Sequence, residues 1–261
     1  MKKTAFVRSI ILTVVAVLIV TALTGCKTQT GALNWWTDPT YAPFEYADAA
    51  NKPTGFDVEL MEAIAAKMGR TSNLTTGAFD GLILALEAKK FDAVCAAMTI
   101  TPKREEEVGF SIGYYRADMG IMYNPAKNTI TRPEDLVGKT VGVQVGTTGE
   151  IDAKLITGVT VSSYPDIQLA TMDLENGRID AVVNDYPVCT TYASTHPTLK
   201  VIDTTSIAGH DLTQMYGIAM RKDDTQLKSD IDAALLKVVA DGTYGTLYRK
   251  YFFVDPPYLP K

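Results

Sequence analysis

Apolar and polar positions along this chain recur at both strand and helix spacing, and the alternation of the two predicts an α/β protein. Leu33 to Trp36 reads as a first strand, ending at Thr37-Asp38-Pro39-Thr40-Tyr41-Ala42-Pro43-Phe44, where the prolines impose an extended loop. Val58, Met61, Ile64, Ala65 and Met68 then fall at helical spacing, with Asp57 as the expected cap and Gly69 as the stop, and this helix reads as core packing only. Phe79-Asp80-Gly81 opens a second helix, apolar at Leu82 and Leu86, and Pro102 marks the start of a charged one at Thr101-Pro102-Lys103-Arg104-Glu105. Farther on, Pro133-Glu134-Asp135-Leu136 predicts a short helix and Thr140 to Val145 a strand that enters the turn Gly146-Thr147-Thr148-Gly149. Gly217 to Met220 reads as a return strand, and Ile231 to Tyr248 as a helix broken at Asp241-Gly242-Thr243.

One stretch of this pattern occurs twice. Leu86-Glu87-Ala88-Lys89-Lys90-Phe91-Asp92-Ala93-Val94 is nearly repeated by Leu174-Glu175-Asn176-Gly177-Arg178-Ile179-Asp180-Ala181-Val182. Each copy is a helix end, a basic turn and a short apolar strand, so the chain builds one βαβ-like lobe twice and leaves a cleft between the copies. Each copy also runs into a polar cluster, Met98-Thr99-Ile100-Thr101 in the first and Asn184-Asp185-Tyr186 in the second. In open α/β sheets, ligands sit beyond the carboxyl ends of strands, which puts both clusters at the cleft mouth. The chain is expected to cross between lobes near Ala117 and near Gly217, giving one lobe from 33–117 and 217–261 and another from 118–216.

The N-terminal residues change the compartment. Lys2, Lys3 and Arg8 precede the uncharged run Ile10 to Val20, and Leu23-Thr24-Gly25-Cys26 follows. This reads as an export signal over residues 1–25, too short in its apolar run for a comfortable membrane span, although an uncleaved single-span anchor stays open. Leu-Thr-Gly-Cys resembles the bacterial lipobox, so Cys26 would be acylated and residues 26–32 would tether the domain to the outside of the cell membrane.

Charge and composition remove other classes. The 261-residue chain carries a formal −5, and the export segment takes away bases but no acids, so the remainder is more acidic still. With no basic block, nucleic acid is not an expected partner. Cys95 and Cys189 fall in different lobes and read as buried thiols rather than a disulfide. His196 and His210 lack zinc spacing, Ser194, His196 and Asp203 lack the setting of a catalytic triad, and no P-loop lysine accompanies the Gly146 turn. No metal or cofactor is therefore expected. That turn does suit an anion, carboxylates included, because a helix N-terminus presents free N–H groups and a positive dipole end.

Six motifs stand in order: Thr37-Asp38-Pro39-Thr40-Tyr41-Ala42-Pro43-Phe44-Glu45, Gly55-Phe56-Asp57, Thr99-Ile100-Thr101-Pro102-Lys103-Arg104, Val143-Gln144-Val145-Gly146-Thr147-Thr148, Gly177-Arg178-Ile179-Asp180-Ala181 and Asp241-Gly242-Thr243-Tyr244. Together they resemble the polar amino-acid-binding proteins of bacterial ABC importers, solute-binding family 3, over roughly Leu33 to Phe253. The resemblance implies a two-lobed periplasmic-binding-protein-like fold of type II, with lobes joined by two crossover strands. It also implies a monomer whose partners are a free amino acid and an ABC transporter permease.

The resemblance further implies a site. Arg104 would grip the ligand's α-carboxylate bidentately, with Thr99 and the Gly146, Thr147 and Thr148 amides completing its bonds. Asp185 would hold the α-ammonium group, its alternative being a cap of the following helix. Tyr41 and Phe79 would sandwich the ligand side chain and Asp38 would reach its polar end, which favours a cation such as arginine, lysine or histidine. Glutamine stays open. Gln144 and Ala97, where glutamine-type relatives place lysine and often glycine, tilt the reading to a basic ligand. The family also resembles exported cyclohexadienyl dehydratases, so an enzyme on the same scaffold is the alternative of a different class, and a chemosensory receptor domain is a milder one. Asp38 is the one acid such an enzyme could use, and the amino-acid pattern already gives it a role at the ligand's polar end.

Overall fold

The computed structural model describes residues 31–116, 118–204 and 214–261. The expected export segment, Cys26, the tether up to residue 30, Ala117 at the first crossing and His210 lie outside the described residues.

Two five-stranded sheets carry the fold. The first contains β1 (Ala32–Thr37), β5 (Thr71–Thr76), β6 (Ala93–Val94), β7 (Val108–Phe110) and β15 (Ala219–Arg221), in the order β5-β1-β6-β15-β7. The second contains β9 (Met119–Tyr123), β10 (Thr140–Gln144), β11 (Thr160–Tyr164), β12 (Ala181–Asp185) and β13 (Lys200–Thr204), in the order β11-β10-β12-β9-β13. In each, the central strand runs parallel to one neighbour, β1 or β10, and antiparallel to the other, β15 or β9. Those central strands, β6 and β12, are the strands of the two repeated segments. The sequence repeat is thus a repeat of topology, and each polar cluster leaves its sheet from an equivalent position.

Between the sheets lie two short strands, β8 (Tyr115–Arg116) and β14 (Met215–Tyr216), which pair antiparallel with Met215 opposite Arg116 and Tyr216 opposite Tyr115. Thr99 bridges Tyr216 on the other side. The two crossings are therefore hydrogen-bonded to each other. Cys95 and Cys189 are free, buried thiols.

The helix Phe56–Lys67 buries Val58, Met61, Ile64 and Ala65, as its spacing predicts, and Leu60 besides, while Met68 falls at its C-cap and is half-buried; its start corrects two expectations. Gly55, not Asp57, occupies the cap position. A Cβ on Gly55, whose φ is +130°, would lie 2.1 Å from the Phe44 carbonyl oxygen, so only glycine lets the helix start pack this closely. In that arrangement the Phe56 N–H donates to the Pro43 carbonyl at 3.0 Å and the Asp57 N–H to the Phe44 carbonyl at 2.9 Å. Asp57 is fully buried and sends its carboxylate away from the helix, accepting from the Ala97 N–H at 2.8 Å and the Tyr114 hydroxyl at 2.5 Å. The helix therefore supports the wall that carries Ala97 as well as packing the core.

Candidate functional site

The carboxyl ends of β1, β6, β10 and β12 converge on one cavity, lined by Asp38, Tyr41, Glu45, Phe79, Ala96, Ala97, Thr99, Arg104, Gln144, Thr147, Thr148 and Asp185. Ten of the eleven ligand residues expected from sequence are in this lining. Gly146 is not. Its N–H is taken by Glu150 Oε2 at 2.8 Å, and its carbonyl accepts from Arg104, so it closes the site through its oxygen while its N–H is spent on the helix behind it.

Arg104 sits in the helix Pro102–Glu107, which starts at Pro102 and is capped by Thr101. Its Nη1 donates to the Thr99 carbonyl at 2.7 Å and its Nη2 to the Gly146 carbonyl at 3.0 Å, and its Cζ lies 5.4 Å from the centre of the Phe79 ring. The fork is thus held between two carbonyls and an aromatic face, which fixes its direction. Burial lowers its pKa to about 10, with Asp185 the leading opposing influence, so it stays charged at neutral pH.

Asp185 ends β12 and is nearly buried. Its Oδ2 accepts from the Tyr41 hydroxyl at 2.6 Å and the Tyr216 hydroxyl at 2.5 Å. It stands at the cap of the helix Tyr186–Thr195 but makes no side-chain capping bond, so it serves the cavity and not the helix. Burial first, then the Asp185 charge, push both tyrosine hydroxyls well above their ordinary range, which keeps them protonated as donors.

The second sheet also supplies the helix Thr148–Leu155, whose cap Thr147 accepts from the Glu150 N–H at 3.2 Å. Its N-terminal residues face the cavity, a placement that favours a carboxylate. Gln144, at the end of β10, donates through Nε2 to Asp38 Oδ2 at 3.0 Å. Asp38 also accepts from the Thr40 hydroxyl at 2.8 Å and the Phe79 N–H at 3.2 Å. Burial raises the Asp38 pKa, and these bonds offset only part of that rise.

Glu45 and Ala96 join this lining unannounced by the sequence reading. Glu45 opens the short strand β3 (Glu45–Ala47), where burial falls from buried to exposed along the strand. Its place in the motif that ends Pro43-Phe44-Glu45 was legible, but nothing local to the sequence aims it inward. Three carboxyl groups and one guanidinium therefore line the cavity. Among the described residues no group of three or more His, Cys, Asp or Glu is arranged to hold a metal ion. His196 is engaged locally, its Nδ1 lying 2.7 Å from the Tyr192 carbonyl oxygen.

With this geometry in view, comparison with known proteins is specific. Residues 33–254 match the family model of bacterial extracellular solute-binding proteins, family 3. The chain is 37% identical over 229 residues to the putative ABC transporter arginine-binding protein 2 of Escherichia coli K12, covering 86% of this chain and 92% of that protein. Among solved structures it is similar to an ancestral arginine-binding protein bound to arginine, with a TM-score of 0.80, 38% identity, and coverage of 85% of this chain and 98% of the other. A structure of an ancestral arginine-binding protein bound to glutamine matches with a TM-score of 0.79 at 38% identity over the same 85% and 98%.

Proposed function

The chain belongs to the bacterial extracellular solute-binding proteins of family 3, and from that premise we propose that it captures a free basic amino acid, arginine foremost, and delivers it to an ABC transporter permease. The observation that carries this reading is the charge of the cavity wall: one guanidinium faces three carboxyl groups. A zwitterion uses one charge of each sign, Arg104 for its α-carboxylate and Asp185 for its α-ammonium group. Two acids, Asp38 and Glu45, are then left for the side chain, and a cation is the group that offsets them. The arginine-bound relative supports this order of preference.

Closure follows from where the two anchors are rooted. Arg104 extends from the first sheet's side and bonds to the Gly146 carbonyl beyond β10, while Asp185 ends β12 and meets Tyr41 from the loop after β1. A ligand held by both anchors adds bonds to each lobe at once, so the closed arrangement gains the full differential affinity. No catalytic step is assigned. Asp38 is occupied by three donors, and binding-protein relatives support a carrier rather than an enzyme. Glutamine is the second reading, favoured by the glutamine-bound relative and by the amide of Gln144 on the wall.

Thermal-shift titration against the common amino acids tests this. Arginine at a hundred times its dissociation constant should stabilise the protein by about 2.7 kcal/mol, ahead of lysine, histidine and glutamine. A shift with glutamine alone would replace the basic-ligand reading. Membrane attachment through an acylated Cys26 is part of the same proposal, and loss of labelled-lipid incorporation in Cys26→Ser would test it.

A further inference from the structure

Glu45 differs from the other acids of the cavity. Its side chain is fully buried, and neither oxygen receives an N–H or hydroxyl donor among the described residues. Asp38 has three such donors, and Asp185 accepts from the Tyr41 and Tyr216 hydroxyls. The carboxyl facing Glu45 is Asp57, brought within hydrogen-bond reach by the two backbone bonds that tie the helix start to Pro43 and Phe44. Asp57 Oδ2 has the Ala97 N–H and the Tyr114 hydroxyl, whereas its Oδ1 has no donor either. Two adjoining buried carboxyls do not both ionise. The one with donors keeps the charge, and the one without takes the proton.

We infer that Glu45 holds a proton shared with Asp57 in the ligand-free cavity and releases it when a cationic side chain enters, coupling capture of a basic amino acid, but not of glutamine, to proton loss. The inference rests on the reading of the cavity as an amino-acid site. In the step, the O–H bond of Glu45 breaks, the electron pair stays on the carboxylate and the proton passes to solvent. The incoming cation takes the proton's place as countercharge. Burial, followed by the Asp57 and Asp38 charges, holds the Glu45 carboxyl well above its ordinary range, with Asp185 adding to the effect. The other titratable groups around it are Tyr41, Tyr114 and Cys95, all kept neutral by burial, and Arg104 is the cation among the cavity-lining side chains. Between the bound and free titration points of Glu45, arginine affinity should rise with pH by up to about tenfold per unit, while glutamine affinity stays level.

Calorimetric titration of the full chain with arginine and with glutamine, in buffers of differing ionisation enthalpy from about pH 5 to about pH 9, reads the proton count directly. The expected result is about one proton released per arginine within that span and none per glutamine. Difference infrared spectra should lose the carbonyl band of a protonated carboxylic acid when arginine is added. Glu45→Gln should abolish both the release and the pH dependence of arginine binding. Arginine binding without proton release at every pH, or release that persists in Glu45→Gln, would overturn the inference while leaving the amino-acid site intact. Failure of arginine and glutamine alike to bind would overturn the site and the inference together. The calorimetry and infrared measurements on the unsubstituted protein decide the question even if the variant does not fold.

Discussion

Two sets of polar groups share one cavity, and they are built differently. Arg104 and Asp185 have their bonding directions fixed by partners: two carbonyls and an aromatic face for the first, two tyrosine hydroxyls for the second. Glu45 and the Gln144 carbonyl oxygen, by contrast, are buried and receive no N–H or hydroxyl donor among the described residues. The partnered set suits what every amino acid carries, a carboxylate and an ammonium group. The unpartnered set suits what distinguishes one amino acid from another, because a buried polar group left without a partner costs about 1–3 kcal/mol and a ligand that supplies one recovers it. On the proposed amino-acid reading, affinity and selectivity reside in different side chains and should be separable by mutation.

The largest effect is expected from the partnered set. Arg104→Ala leaves the ligand carboxylate buried without its cation, a loss of about 3–5 kcal/mol, against about 8 kcal/mol for the whole of a micromolar affinity. Calorimetry should then detect no binding of any amino acid at micromolar ligand, with the thermal transition of the free protein retained. Asp38→Asn probes selectivity instead. It should weaken arginine by about 1.5–3 kcal/mol and glutamine by much less, and equal losses for the two in competition titrations would remove Asp38 from the side-chain end of the cavity.

A third test needs no ligand. Glu45 and Asp57 have raised pKa values in the folded state, both chiefly through burial. A raised pKa means the folded state binds more protons than the unfolded chain between the two titration points. The stability that this contributes is fully present below about pH 4.5 for Glu45, and it is lost as pH climbs to the folded value, by up to about 1.4 kcal/mol per unit. Urea unfolding of the ligand-free protein should show this decline above pH 4.5, and Glu45→Gln should flatten it. The smallest change is expected away from the cavity. The Tyr192 hydroxyl donates to the Thr40 carbonyl across the lobes at 2.9 Å, and Tyr192→Phe should weaken every ligand alike by about 0.5–1.5 kcal/mol in the same titrations.

Much of this arrangement was legible in the sequence where the information is local. The repeated helix-turn-strand segments located the equivalent central strands β6 and β12, and Pro102 after Thr101 marked the helix that carries Arg104. Ten cavity residues were named through the family resemblance, which rests on ordered motifs and polar clusters near strand ends. What was missed depends on tertiary contacts that periodicity does not encode. Asp57 follows the local rule for a helix cap, yet the close approach permitted by Gly55 shifts the cap by two residues and frees the carboxylate for Ala97 and Tyr114. Glu45 faces inward because Pro43 and Phe44 are tied to that same helix start. Gly146 looked like an N–H donor, but Glu150, four residues on, claims that hydrogen.

The paired crossings β8 and β14 carry one more implication. Tyr216 stands in the paired crossings opposite Tyr115, and its hydroxyl reaches Asp185 directly. In the closure proposed above, a swing of the second sheet about these strands would stretch or re-aim that contact, so whatever competes for Asp185 would be felt at the crossings with no relay of intervening side chains.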